Sequence, residues 1–270
     1  MVDESRSLAL FCDFENVALG VRDAKFSKFD IELVLERILL KGSIVVKKAY
    51  CDWERYKEFK PTMHDASFEL IEIPHTRQSG KNSADIRMVV DALDLCYTKE
   101  HIDTFVIISG DSDFSPLVSK LRENAKLVIG VGVKNSTSDL LTNNCDEFIY
   151  YDDLVADERK QPKSVKKPAP KSGAKAKKVA VQDDEDIEEA IRLVIDTAEG
   201  LQGDKSDQLW GSMVKQTLKR RRPDFNERAY GVRSFSDLLE EAENRGLLKL
   251  ELDQRSGGYI IQLPKIKGKH

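Results

Sequence analysis

Six short apolar runs punctuate the first half of the chain: Leu8 to Cys12, Ile44 to Tyr50, Glu69 to Ile73, Phe105 to Ser109, Leu127 to Val133 and Phe148 to Tyr151. They are rich in β-branched, aromatic and leucine residues, and several are apolar throughout. Strands covered on both faces read this way. Helical stretches fall between them, at Asp30 to Leu40, Arg55 to Ala66, Ala84 to Thr98, Phe114 to Asn124 and Ser138 to Asn143. In the third, Ile86, Val89, Val90 and Leu93 stand at i, i+3, i+4 and i+7, which predicts a core-facing stripe. Alternation of this kind predicts an α/β fold with a mostly parallel sheet and helices on both faces.

The acids at the ends of these runs carry the chemistry. Asp13 closes the first run, and Asp111 and Asp113 follow the fourth in Ser109-Gly110-Asp111-Ser112-Asp113-Phe114. Asp85 opens the helical stretch before that run. A parallel sheet binds ligands beyond the carboxyl ends of its strands. Acids gathered there repel one another unless a positive charge sits among them. Each aspartate alone is explained equally well as a helix cap. Independent caps have no reason to converge, whereas these four converge if the first and fourth strands are neighbours. The expectation is one metal site made by Asp13, Asp85, Asp111 and Asp113. Oxygen-only ligands select Mg²⁺ or Mn²⁺ over zinc, and a cation held by carboxylates points to phosphate chemistry.

Around that site, Asn16 and Ser109 are short polar side chains suited to holding a carboxylate or a metal-bound water. Asp91 is a further supporting candidate, although it lies six residues past Asp85 and has Arg87 at i−4 as an ordinary ion-pair partner. Asn144 and Asp146 read as a turn. Arg77 and Lys81, in the loop Thr76-Arg77-Gln78-Ser79-Gly80-Lys81-Asn82, suit a substrate backbone and equally suit loop solubility.

Composition narrows the setting. The chain has 270 residues and a formal net charge of −4, so nucleic-acid binding has to come from local patches. No run is long enough for a membrane span. The start, Met1-Val2-Asp3-Glu4-Ser5-Arg6, lacks the order of a signal peptide, and a cytoplasmic address is expected. Cys12, Cys51, Cys96 and Cys145 are widely spaced and are expected as reduced, mostly buried thiols. The four histidines are scattered, which gives zinc no support.

The expected domains are 1–155, a basic disordered linker 156–182, a second domain 183–264 and a tail 265–270. The linker is a Lys-Pro-Ala-Ser-Gly stretch without apolar period, either a solvated tether or a weak polyanion-binding arm. Beyond it, three amphipathic helices are expected around Ile187 to Ile195, Trp210 to Arg220 and Ser234 to Arg245. Two short strands follow, Leu247 to Leu252 and Tyr259 to Leu263, joined by a turn containing Gly257 and Gly258. That order describes a small winged-helix unit. Its basic cluster, Lys219-Arg220-Arg221-Arg222, sits at a helix end, where it suits either the helix dipole or a phosphate backbone. Phe225 and Tyr230 are either stacking surfaces or core.

Three segments of the first half resemble the signatures of NYN domains, the LabA-like branch of the PIN-like ribonucleases. They are Phe11-Cys12-Asp13-Phe14-Glu15-Asn16, Lys81-Asn82-Ser83-Ala84-Asp85-Ile86 with Asp91-Ala92-Leu93, and Ser109-Gly110-Asp111-Ser112-Asp113-Phe114. The resemblance implies a Mg²⁺- or Mn²⁺-dependent endoribonuclease on a PIN-like Rossmannoid sheet. Asp13, Asp85, Asp111 and Asp113 are then the metal-binding acids, with Asn16 and Ser109 beside them. Many relatives have Lys-Gly-x-Asp where this chain has Lys81-Asn82-Ser83-Ala84-Asp85, which implies changed substrate fit rather than lost metal.

The second half resembles the LOTUS, or OST-HTH, domain at Trp210-Gly211-Ser212, Arg222-Pro223-Asp224-Phe225-Asn226, Tyr230-Gly231-Val232 and Phe235-Ser236-Asp237-Leu238-Leu239. That resemblance implies a winged helix linked to RNA binding, and in some animal members to docking of a helicase. The expected function is therefore an RNA endonuclease with a tethered RNA-binding module. A non-catalytic RNA-binding or adaptor protein is the alternative. A phosphatase is less well supported, because no Asp-x-Asp closes the first strand to accept a phosphoryl group.

Overall fold

The computed structural model describes residues 6–73, 83–160, 176–202, 208–254 and 257–264. The chain divides into two compact units, Met1–Pro162 and Lys163–His270.

In the first unit, β1 (Ser7–Asp13) runs straight into α1 (Phe14–Asp23), followed by α2 (Ile31–Leu39), β2 (Ser43–Cys51), α3 (Lys60–Asp65) and β3 (Glu69–Glu72). Then come α4 (Ser83–Thr98), β4 (Thr104–Ile108), α5 (Ser115–Glu123), β5 (Leu127–Gly132), α6 (Asp139–Asn144), β6 (Glu147–Tyr150) and α7 (Tyr151–Lys160). The six strands form one parallel sheet in the order β3-β2-β1-β4-β5-β6. β1 and β4 lie side by side at the centre, where successive crossovers change direction. The crevice beyond their carboxyl ends is the natural ligand position in such a sheet.

Alternation within the strands explains the two-sided core. Leu8, Leu10 and Cys12 of β1 share one face with Val106 and Ile108 of β4, packed under Ile31, Val34 and Ile38 of α2. Ala9 and Phe11 share the other with Phe105 and Ile107, under Leu117, Val118 and Leu121 of α5. Successive side chains in a strand point to opposite faces, so strands apolar throughout need helices on both sides. All four cysteines are buried and free.

Helix α4 turns differently from its expected stripe. Met88, Ala92 and Cys96 face the core, while Val89 and Leu93 are half-buried at its edge. Ile86 and Val90 are 63% and 55% exposed. Apolar residues occur around most of this helix, and the face carrying Met88, Ala92 and Cys96 is the one in the core with Ala9, Phe11 and Phe105 of the sheet.

Helix α1 was not expected as a helix. It starts on the residue after β1, so its first turn reads in the sequence as a continuation of the acidic strand end. Two helices extend into the span 156–182. α7 continues to Lys160, with Asp152 and Asp153 in its first turn matching the helix dipole. α8 (Ala176–Gln202) already includes Ala176-Lys177-Lys178, good helix formers that need no apolar period.

The second unit comprises α8, α9 (Gly211–Arg221), α10 (Phe235–Asn244) and the antiparallel pair β7 (Lys249–Leu252) and β8 (Tyr259–Gln262). Trp210 adds an antiparallel bridge to Ile260. Ala190, Ile191, Val194, Val214, Leu218, Phe235, Leu238, Leu239 and Ile261 make a core of its own. Among the described residues, no helix is long and apolar enough to cross a membrane.

The orientation of α4 is testable. Met88→Ala should destabilise by about 2–5 kcal/mol, the usual cost of truncating a buried large side chain. Val90→Ser should stay within about 0.5 kcal/mol, as exposed substitutions do. Urea unfolding of the two variants measures the difference, and equal losses would contradict this face assignment.

Candidate functional site

Asp13 stands at the carboxyl end of β1 and is 8% exposed. Its Oδ2 accepts a hydrogen bond from Ser109 Oγ at 3.0 Å, and its Oδ1 accepts from the Asn16 backbone N–H at 3.4 Å. Ser109 follows β4 directly and is fully buried. Its hydroxyl donates to Asp13 while accepting from the Asp111 N–H at 3.2 Å, using both capacities of a hydroxyl. Asn16 Oδ1 accepts from the Gly110 N–H at 2.9 Å. The turn after β1 and the turn after β4 are thereby tied by three side chains.

Two packing features hold these turns still. Phe14, between Asp13 and Asn16, sits in an aromatic cage, with ring centroids 5.0 Å from Trp53, 5.0 Å from Phe59, 5.7 Å from Tyr56 and 6.0 Å from Phe29. Gly110 lies so close to the next loop that a Cβ there would fall 2.4 Å from the Ser136 carbonyl oxygen. Its own carbonyl accepts from the Ser138 N–H at 2.9 Å. Only glycine allows this approach.

Asp111 caps the short 3₁₀ turn Ser112–Phe114 by accepting from the Asp113 N–H at 3.0 Å. Asp113 is exposed, and Asp85 is half-buried in the first turn of α4. The four acids are coupled electrostatically. Burial, then the charge of Asp85, raises the Asp13 carboxyl to about 7, with Asp111 adding to the rise and the Ser109 and Asn16 hydrogen bonds opposing it. Burial, then Asp111, Asp113 and Glu15, raises Asp85 to about 6.

Among the described residues, no three acids, histidines or cysteines are gathered closely enough to form a ready-made metal cage. The donor set nonetheless suits a hard cation. It is all carboxylate, and Mg²⁺ typically keeps several waters and takes only one or two protein carboxylates. A cation among them would relieve the repulsion that raises Asp13 and Asp85.

The remaining expected residues fall elsewhere. Asp91 does not support the acids. Its Oδ2 accepts from the Tyr50 hydroxyl at 2.9 Å and lies 3.8 Å from Lys48 Nζ, and its Oδ1 accepts from Arg87 Nε at 3.0 Å. Six residues of helix carry it to a different face from Asp85. Asp146 and Asn144 form the expected turn. Asp146 accepts from the Val128 N–H at 2.9 Å and pairs with Arg122 at 3.1 Å, and Arg122 also donates to the Asn144 carbonyl at 2.8 Å. Arg77 and Lys81 lie outside the described residues.

In the second unit, Arg221 donates to Thr197 Oγ1 at 3.2 Å and Arg222 pairs with Asp224 at 3.4 Å, while Arg220 is exposed and Lys219 half-buried. Phe225 is 4% exposed and stacks on Tyr230 at 5.6 Å, so Phe225 is core rather than a free stacking platform.

One contributor was missed. Glu15 lies two residues past Asp13, helps to raise Asp85, and is held by Arg55 Nη1 at 3.1 Å. The signal was in the spacing Asp13-Phe14-Glu15-Asn16, where an acid follows directly in the first turn of α1. Arg55 carried no such signal, because a solvent-facing arginine in an irregular segment looks the same with or without this partner.

The acids also set a pH dependence. The folded-state pKa of Asp13 is about 7 against an ordinary 3.8, so the native state binds more protons across that window. Stability without metal is therefore expected to fall as pH rises from about 4 to about 7. Asp13→Asn should flatten this fall, and Mg²⁺ should oppose it in the wild type. Thermal unfolding across this range in chelator, then in Mg²⁺, measures both effects. A wild type whose stability rises over the window would contradict the raised carboxyl.

The comparisons agree with this geometry. A protein of unknown function from Vibrio parahaemolyticus, VPA0982, has a crystal structure that superposes with a TM-score of 0.51 at 27% identity, covering 57% of this chain and 98% of that one. The uncharacterized protein MJ0482 of Methanocaldococcus jannaschii is 27% identical over 120 residues, or 44% of this chain. The match spans about half of that relative, 47% of its length. The NYN domain family matches residues 7–152, the whole sheet with every acid of the site. NYN domains have a PIN-like nuclease fold and are generally nucleases. With that match covering more than half of its length, the chain belongs to the NYN domain family.

Proposed function

We propose that this protein is a Mg²⁺- or Mn²⁺-dependent endoribonuclease of the LabA-like type, tethered to an RNA-binding winged-helix unit of the LOTUS/OST-HTH type. The observation that carries the reading is Asp13: a buried carboxylate with few hydrogen-bond donors, crowded by Asp85 and Asp111 at the switch point of a parallel sheet. A bound divalent cation supplies an activated water and offsets charge on the phosphate. Asp13, Asp85, Asp111 and Asp113 are the acids that would hold it, Asp13 from a buried position and Asp113 from an exposed one. Ser109 and Asn16 keep Asp13 and the β4 turn in register. Four free, buried thiols suit a reducing compartment, and the cytoplasm is the proposed location.

The three helices and hairpin of the second unit, with the Trp210–Ile260 bridge as a short third strand, support the winged-helix assignment. Arg220 is its best-placed phosphate contact, being exposed, whereas Lys219 is half-buried and the exposed Arg221 and Arg222 already hold Thr197 and Asp224. A non-catalytic RNA-binding or adaptor role is the second reading. Against it, crowded acids cost stability and contribute nothing to a binding-only surface.

Cleavage assays separate the two. Ser109→Ala should slow Mg²⁺-dependent cleavage of a labelled single-stranded RNA by about 10- to 100-fold, the usual cost of losing a ligand's support. Asp13→Asn should slow it more, with folding intact. Wild-type rates in both variants, or cleavage unaffected by chelator, would exclude this mechanism.

The second unit has its own core and can be measured alone. It should bind RNA with a salt dependence, and Arg220→Ala should reduce the slope of log affinity against log salt by about 0.7. No affinity at low salt would make the unit a docking module for a protein partner instead.

A further inference from the structure

Helix α4 carries an apolar seam on its outer face. Ile86, Val90 and Tyr97 are 63%, 55% and 62% exposed, and Leu93 between them is half-buried. The buried side chains of the same helix, Met88, Ala92 and Cys96, lie on its other side. Single exposed apolar residues are ordinary, but a contiguous group marks a surface that another surface covers. The Tyr97 ring is already held, because its hydroxyl accepts from Asn124 Nδ2 at 3.3 Å. A side chain ordered in advance loses less freedom on association.

The spacing indicates what kind of surface that is. Ile86, Val90, Leu93 and Tyr97 stand at i, i+4, i+7 and i+11. This is the alternating four-and-three step of a coiled-coil seam, which packs against a second helix with the same step. The α4 of a second copy is such a helix, and the charges beside the seam fit it. Arg87 and Asp94 each follow a seam residue, on the same side of the stripe, and both are exposed. Packed antiparallel about a two-fold axis, Ile86 of one copy meets Tyr97 of the other, Val90 meets Leu93, and Arg87 comes beside Asp94 at both ends. Arg87 gives its Nε to Asp91 at 3.0 Å, and a guanidinium has further N–H groups to donate. A parallel pairing sets like residues level with one another and offers neither charge its complement.

We propose that the outer face of α4 is a self-association surface, on which a second copy of this chain packs its own α4 antiparallel. A seam of this length is short beside the roughly 800 Å² per partner of a standard interface, so the dimer is weak, with a dissociation constant in the micromolar range. The proposal is independent of the nuclease reading, although Ile86 adjoins Asp85 and the seam therefore ends at the edge of the acids.

Sedimentation equilibrium of the full chain, over a concentration series through the micromolar range, tests it. The wild type should pass from monomer to dimer. Val90→Lys puts a charge in the middle of the seam and should leave a monomer throughout, with the far-UV circular dichroism unchanged. Tyr97→Ser, at the end of the seam, should weaken the dimer on the order of tenfold, and it decides alone if Val90→Lys loses its circular dichroism. Arg87→Glu and Asp94→Lys each set like charges together at both ends and should weaken the dimer by a similar factor. A mixture of those two variants should recover the wild-type affinity. In the mixed pair the introduced glutamate meets the introduced lysine, and the native Arg87 meets the native Asp94. A wild type that is monomeric at every concentration overturns the proposal, since another partner then covers this face. So does a dimer that survives Val90→Lys and Tyr97→Ser, which forms through some other surface. A mixture no tighter than either variant alone overturns the antiparallel pairing on which the proposal rests.

Discussion

The hydrogen bond from Ser109 to Asp13 is the contact on which the site depends. It joins the ends of β1 and β4, where the sheet's connectivity reverses, and it is fully buried. A carboxylate in that position is expensive, because burial removes water and the protein returns only a hydroxyl and one long backbone N–H bond. Its neighbours Asp85 and Asp111 add to the cost instead of offsetting it. Such a group contributes nothing to folding. The surrounding structure keeps it in place through the aromatic cage around Phe14 and the close approach of Gly110 to Ser136. Stability is spent at one point to hold a geometry, which is usual where a fold supports chemistry.

The sheet was legible in the sequence because both of its faces are buried. Strands such as Phe105 to Ile108 then have no polar positions, and their ends show as abrupt changes to Gly, Asp and Ser. The same abruptness located Asp13, Ser109 and Asp111. Helix faces were less legible. In α4, nearly every side carries an apolar residue, and the choice between Met88 and Val90 is made by the neighbouring strands rather than by periodicity. Helix α1 was hidden for a related reason, since its first turn is built from the motif residues themselves. Asp91 shows the limit of motif spacing: its position fits the family signature, yet Tyr50, Arg87 and Lys48 take up its oxygens.

The basic cluster of the second unit shows how composition overstates available charge. Four consecutive cations look like one patch in sequence. Arg220, Arg221 and Arg222 are exposed and Lys219 is half-buried, but two of the four already hold partners within the unit, Arg221 with Thr197 and Arg222 with Asp224. Phe225 is a similar case: an aromatic beside cations suggests stacking, but this ring fills the core against Tyr230 and Phe235. Whatever this unit recognises must be read mainly by its exposed residues, of which Arg220 is one.

The four aspartates are not equivalent, and the difference follows from where each stands. Asp13 is buried and held at both oxygens, so its position is fixed. Asp111 spends one oxygen on capping the turn that follows, which orients the carboxylate without burying it. Asp85 is carried by the first turn of α4, half-buried and under the charge of Asp111 and Asp113. Asp113 is exposed, and its side chain is free of the backbone cap that Asp111 provides. A hard cation that keeps several of its waters would be compatible with acids so differently placed. The site therefore grades from a buried, hydrogen-bonded carboxylate at the strand end to an exposed one at the solvent.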